Sequence, residues 1–330
     1  MREQKRVFPY KPQINISFPS MGRMWLVCGC AFACVVQSSL TDGGRSLLLA
    51  LVCLVTALTA EISFTWREFG AAKIKDGSAA ATAMIFTLLL PNQIHPFYAV
   101  VGILFAVLIV KYSFGGLGSN WLNPALGGWL FIRFSWPLAF SGALDKASAD
   151  IPEISGITGS AISNFLNKAI FRFLGTEMPS GYIELFSLQT PGIIADRAVL
   201  ILVFGTIVIA SSQISRSWLS FLYLAVFGLL VRLAGDMASG ELLWNGDVVY
   251  AIFSGGTLVT AFFLIADPSS GARSAPGNAL MAIMAAALSM VFRYFGNTFY
   301  GGFFAVAIVN ACTPLLCKAE QRLLYSGGAA

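Results

Sequence analysis

Ser113–Gly128 reads SFGGLGSNWLNPALGG and lies between two apolar runs. Its glycines let backbones approach where any side chain would hold them apart. Asn120 and Asn123 place two amides at the mouth of the helix that follows. Pro124 fits that helix's first turn, where a missing N–H costs nothing. Polar amides beside the start of a membrane helix suit a ligand or an ion better than lipid. A helix-packing turn closed by an N-cap accounts for the same residues, and taken alone the stretch supports both readings equally.

The flanking composition settles the setting. The chain has 330 residues, 57% hydrophobic and 11% charged, with a mean hydropathy of +0.75. A soluble domain carries about 25% charged residues, so this is a polytopic membrane protein. A membrane helix needs about 20 apolar residues, fewer where it is broken or re-entrant. Candidate spans cover 24–41, 46–65, 78–91, 97–112, 121–140, 195–212, 217–234, 248–266, 278–295 and 298–316. The third is short, ends on Pro91 and is rich in Ser, Ala and Thr, which predicts that it packs inside the bundle. The first 22 residues carry Arg2, Lys5, Arg6 and Lys11 without an apolar core, so the first helix is expected to remain as an anchor.

Charge sets the orientation. With the N-terminus in the cytoplasm, ten spans place Arg2, Lys5, Arg6, Lys11, Arg23, Arg67, Lys73, Lys75, Lys111, Arg216, Arg273, Lys318 and Arg322 inside. Only Arg45, Lys146, Lys168, Arg172, Arg197 and Arg232 fall outside, together with acids such as Asp42, Asp196, Asp236 and Asp247. The expected fold is all-α, with about ten transmembrane helices in two inverted five-helix halves. The divisions are 1–22 (cytoplasmic segment), 23–140 (first half), 141–194 (external loop), 195–317 (second half) and 318–330 (cytoplasmic tail). Faint traces of duplication agree: Ser78–Thr82 and Ser254–Thr257 each open an apolar run, and Asn123 and Asn310 each follow a Gly-rich turn.

Side-chain chemistry is sparse. There is no nucleophile–base pair, P-loop, GxGxxG or metal-ligand cluster. Cys28, Cys30, Cys34, Cys53, Cys312 and Cys317 read as small apolar residues, and His95 reads as a surface loop residue. Intramembrane polarity remains: Glu61, Arg133 and Asp267 are costly in lipid unless paired or facing water. For Glu61 the preferred reading is a side chain snorkelling to the inner face. Asp267 is expected on the same side as Asn120 and Asn123, so an acid and two amides line one polar pocket between the halves. A non-redox solute channel or transporter with that pocket is one function compatible with these residues.

Four stretches carry a family resemblance: FGGLGSNWLNPALGGWLF (Phe114–Phe131), DGSAAATAMIFTLLLP (Asp76–Pro91), ELFSLQTPGIIAD (Glu184–Asp196) and SGGTLVTAFFLIADP (Ser254–Pro268). They resemble the family joining the D subunit of the Rnf electron-transport complex to the B subunit of the sodium-pumping NADH:quinone oxidoreductase. The length is closer to the Rnf subunit. The resemblance implies a urea-transporter-like bundle in the bacterial inner membrane, working in a ferredoxin:NAD oxidoreductase complex beside iron–sulfur and flavin subunits and coupled to sodium or proton transport. It also implies FMN held by a phosphoester to a threonine in the external loop, within the pattern Asp-x-x-Ser/Thr-Gly-Ala-Thr. The counterpart here is Pro152-Glu153-Ile154-Ser155-Gly156-Ile157-Thr158, which makes Thr158 the expected attachment residue beside Ser155 and Gly156. Proline stands where the pattern has aspartate and isoleucine where it has alanine; Thr190 is the runner-up. A non-covalent riboflavin is implied near Asn120, Asn123 and Asp267, while flavin supplies redox chemistry that no side chain here provides.

Overall fold

The computed structural model describes residues 20–69, 76–113, 116, 120–140, 192–211, 216–235, 244, 246–267, 270–272, 274–296 and 298–326. Every named element among them is helical. In chain order they are α1 (Ser20–Thr41), α2 (Arg45–Phe69), α3 (Ser78–Leu89) and α4 (Pro96–Leu104, continued as a π-helix over Phe105–Lys111). There follow α5 (Pro124–Ser135), α6 (Val199–Ser211), α7 (Ser217–Ala234), α8 (Val248–Phe253) and α9 (Thr257–Val259, continued as a π-helix over Thr260–Ile265). The set closes with α10 (Ala275–Met290, then π over Val291–Phe295) and α11 (Gly301–Ser326).

Among the described residues, five helical segments are long and apolar enough to cross a bilayer: Met21–Leu40, Arg45–Arg67, Ser217–Ala234, Ala275–Phe295 and Gly301–Lys318. Ser78–Leu89, Pro96–Lys111 and Val199–Ser211 are apolar but shorter. The sequence-predicted span 248–266 is not continuous. It breaks at Ser254–Gly256, where Gly255 and Gly256 take φ of 64° and 66°, a left-handed conformation that side-chain-bearing residues rarely adopt.

α3 shows what a short helix requires. Its 12 residues rise about 18 Å at 1.5 Å each, short of the roughly 30 Å hydrocarbon core. Its ends therefore need protein partners, because lipid offers none. Every residue of α3 is buried, as its small, apolar composition predicts. At its start Gly77 is left-handed (φ 69°) and Asp76 Oδ1 accepts from the Ser78 backbone N–H at 3.1 Å. At its end the Leu90 carbonyl accepts from Ile194 N at 2.9 Å, and Pro91 forms a bridge with Ile193.

The two parts of the chain meet at several such hand-overs. Gln37 Oε1 in α1 accepts from Ile201 N at 2.9 Å, satisfying a first-turn donor of α6 that has no partner within its own helix. Asp42 pairs with Arg197, both assigned to the outside by the charge pattern. Trp129 of α5 stands edge-on to Phe303 and Phe304 of α11, with centroids 5.0 and 5.4 Å away, a favoured arrangement for aromatic rings.

Local geometry recurs along the chain. α4 and α10 both begin with proline in the first turn and a side-chain cap, from His95 and Ser274. Both end in a π-helix carrying a cation, Lys111 or Arg293. Each cation reaches the serine that precedes or opens a broken helix: Lys111 Nζ to Ser78 Oγ, and Arg293 Nη2 to Ser254 Oγ, both 2.6 Å. The Asn123/Asn310 correspondence does not hold. Asn123 is the cap before α5, whereas Asn310 lies inside α11.

α4 and α5 touch through glycines. A Cβ on Gly128 would fall 2.5 Å from the Gly102 carbonyl oxygen and 2.9 Å from Ala106 Cβ, whereas one on Gly29 meets nothing within 4 Å. Gly128→Ala should destabilise the fold by about 1–3 kcal/mol, as overpacking does, and Gly29→Ala should stay within about 0.5 kcal/mol of the parent. Thermal unfolding of the detergent-solubilised chain checks both.

Candidate functional site

The first polar centre forms where the Ser113–Gly128 stretch meets α9. Asn123 is the N-cap of α5: its Oδ1 accepts from Ala125 N at 3.0 Å and Leu126 N at 3.4 Å, with Pro124 in the first turn. Capping leaves its amide nitrogen to donate elsewhere. Asn123 Nδ2 donates to Asp267 Oδ2 at 2.9 Å, across 144 positions of sequence. An acid and one of the two amides, from distant parts of the chain, thus meet here. Asn123 is buried and Asp267 half-buried.

Asn120 is placed differently from the expectation. It is buried, and with its amide oriented to suit its neighbours Nδ2 donates to the Lys111 and Gly116 carbonyls at 3.2 Å each. The helix end at Lys111 leaves carbonyls without intrahelical partners; that of Lys111 accepts from Gly116 N at 3.0 Å, and Asn120 joins as a second donor. Its role is to fix the turn that presents Asn123. Thr158, Ser155, Gly156 and Thr190 lie outside the described residues, as does the rest of the 141–194 loop up to residue 191.

A second centre lies beneath the same turn and corrects the expectation for Glu61. Glu61 does not snorkel: it is 1% exposed and forms an ion pair with Lys111, itself 2% exposed. Tyr112 donates its hydroxyl to Glu61 Oε1 at 2.7 Å, and Lys111 Nζ also donates to Ser78 Oγ. Such a pair persists in a low-dielectric interior only with its remaining hydrogen bonds satisfied. Lys111 ends an apolar run, and the charge pattern therefore assigns it to the inner face. The turn that carries it inward is π-helical, and hydrophobic periodicity does not reveal that.

A third centre escapes sequence reasoning altogether. Asp196 is buried; its Oδ1 accepts from the Gly256 N–H at 2.9 Å and its Oδ2 from the Tyr300 hydroxyl at 2.8 Å. Tyr300 Oη in turn accepts from Ile193 N at 2.9 Å. Arg293 donates to the Ala251 carbonyl at 2.8 Å and the Ser254 carbonyl at 3.1 Å. It also stands 4.9 Å from the centroid of Phe299, a cation–π distance. The available signal is an acid just before an apolar run, in GIIAD (Gly192–Asp196). Arg133 is half-buried at the end of α5 and reaches the Pro137 carbonyl, at 3.4 Å, and the Phe140 ring.

The three centres bind helix ends and backbone groups. Each centre holds charge and hydrogen bonds in place. Asn123 keeps one donor beyond this contact: an amide nitrogen carries two N–H groups, and Asp267 takes one of them.

The chain matches the model of the NQR2, RnfD, RnfE family over residues 8–325. It is 25% identical over 304 residues to the D subunit of the proton-translocating ferredoxin:NAD(+) oxidoreductase complex of Clostridium ljungdahlii, covering 92% of this chain and 90% of that one. It is 26% identical over 282 residues to the D subunit of the Na(+)-translocating ferredoxin:NAD(+) oxidoreductase complex of Acetobacterium woodii, covering 85% and 82%. The D subunit of the ion-translocating oxidoreductase complex of Shewanella amazonensis is 28% identical over 303 residues, covering 83% and 84%.

Removing one partner of a buried ion pair costs about 3–5 kcal/mol, because the other charge is stranded. Lys111→Met should lose that much stability, while the double variant Glu61→Leu/Lys111→Met recovers most of it. A double-mutant cycle of thermal denaturation measures the coupling.

Proposed function

The chain belongs to the NQR2, RnfD, RnfE family, and from that membership we propose that it is the D-type membrane subunit of an ion-translocating ferredoxin:NAD oxidoreductase complex. The carrying observation is the extent of the match: the family model spans residues 8–325, and the relatives named as D subunits are covered over most of their own length. The subunit is not catalytic alone. It sits in the bacterial inner membrane with both termini in the cytoplasm and residues 141–194 outside, among iron–sulfur and flavin subunits. Ten helices in two inverted, urea-transporter-like halves form the bundle. The recurrence of Gly77/Ser78 with Lys111 and of Gly256/Ser254 with Arg293 supports that duplication.

In this reading Thr158 carries FMN through a phosphoester, with Ser155 and Gly156 forming the turn that presents its hydroxyl. A bound flavin supplies one- and two-electron redox chemistry. A second flavin, riboflavin, lies near Asn123 and Asp267. The second amide N–H of Asn123, beside a helix start, is the donor that such a ligand would use. Asn120 acts behind them by fixing the turn. Redox change would couple to movement of sodium or protons within the complex.

Denatured, washed protein from the native host should show flavin fluorescence in a gel. Thr158→Ala should abolish it and Thr190→Ala preserve it; a dark Thr190→Ala variant moves the attachment site, and a dark parent protein ends the covalent-flavin reading. Flavin released into the supernatant on acid denaturation should fall in Asp267→Ala while the covalent signal persists.

A further inference from the structure

A small cavity lies among α7, the end of α9, α10 and α11, lined by residues of none of the three centres above. Leu219, Ile265, Met281 and Ala285 supply apolar wall, and Asn278 and Asn310 supply amides. Its volume is about 10 Å³, counted as the space open to a water's centre. That is the lower limit for one water molecule and far too little for a flavin or any organic solute.

The polar wall is unevenly satisfied. Asn278 Oδ1 accepts from Arg216 Nη1 at 3.0 Å, and its Nδ2 donates to the Ser274 carbonyl at 2.7 Å. Asn310, 3% exposed, is different: its Nδ2 is buried with no hydrogen-bond partner among the described residues. A buried amide donor left unmade costs about 1–3 kcal/mol. A membrane bundle gives it no bulk solvent to fall back on. The nearby groups that could have answered it are engaged in other ways. Met281 Sδ accepts from Ala272 N at 3.2 Å and faces Thr313 Oγ1 at 3.6 Å.

We infer that this cavity is a built seat for one internal water, which accepts from Asn310 Nδ2 and donates to Asn278 Oδ1. The chemistry selects the ligand. A buried N–H donor on the wall with no partner asks for an acceptor. The volume limits that acceptor to the size of water. The carbonyl oxygen of Asn278 has a second lone pair beyond the one that Arg216 uses, so the water's own proton has a destination. Gly271 keeps the seat open: a Cβ there would fall 2.7 Å from Arg216 Nη1 and 3.0 Å from Asn278 Oδ1. The water thereby extends the Arg216–Asn278 contact into α11 and ties three elements through one hydrogen-bonded chain.

Millisecond X-ray hydroxyl-radical footprinting of the full chain in lipid nanodiscs tests this, because radiolysis of a trapped water oxidises the side chains beside it. Met281 forms the wall and is 7% exposed; Met84, 3% exposed in α3, is the reference. Met281 should oxidise much faster than Met84, and Asn310→Leu, which fills the seat and removes the donor, should slow Met281 several-fold with Met84 unchanged. Equal, slow oxidation of Met281 and Met84 in the parent protein overturns the inference. So does an Asn310→Leu variant that folds and leaves the Met281 rate unaltered. If that variant does not fold, the parent comparison decides alone.

Discussion

A helix shorter than the membrane it sits in must hand its backbone ends to other parts of the protein, and this bundle is arranged around that requirement. α3 and α9 both stop short, and each end finds a specific partner. Asp76 takes the first amide of α3, and the Ile193–Ile194 segment closes its last carbonyls. Asp196 takes the amide of Gly256 before α9, and Asn123 meets Asp267 just beyond its end. Because unpaired backbone groups in hydrocarbon are so costly, these contacts fix which segments cross the bundle and where. The polar centres are consequences of the broken helices as much as ornaments upon them.

The sites differ in how far they are legible. Asn123 is readable because asparagine followed by proline is a strong local signal for a capped helix start. Its link to Asp267 follows from placing both residues on one side of the membrane by charge. Asn120 carries the same side chain three positions earlier, yet its amide closes a helix end. No local pattern distinguishes those two fates; the direction the chain takes after Lys111 decides them.

Glu61 and Lys111 are illegible for a different reason. Each stands near the end of an apolar run, where long charged side chains ordinarily reach for water. Their burial depends on a π-helical turn that rotates Lys111 towards α2 and α3. Asp196 and Tyr300 lie 104 positions apart, and their contact exists only once the left-handed glycines before α9 bring its amide to the carboxylate. Hydropathy overestimates the length of a continuous span where glycine breaks an apolar run, as in 248–266. It sums over such a break and does not register it.

Two of the three π-helical ends, those after α4 and α10, have one more consequence. A π turn holds an extra residue relative to the α-helix around it. Passing that residue along the chain would rotate whatever lies beyond by about 100°, the angle of one α-helical residue. Lys111 and Arg293 both ride on such turns, and both grip the serine at the root of a broken helix. Each junction therefore carries one residue more than an α-helical turn would, and that extra residue is where the cation leaves the regular helix to meet its serine.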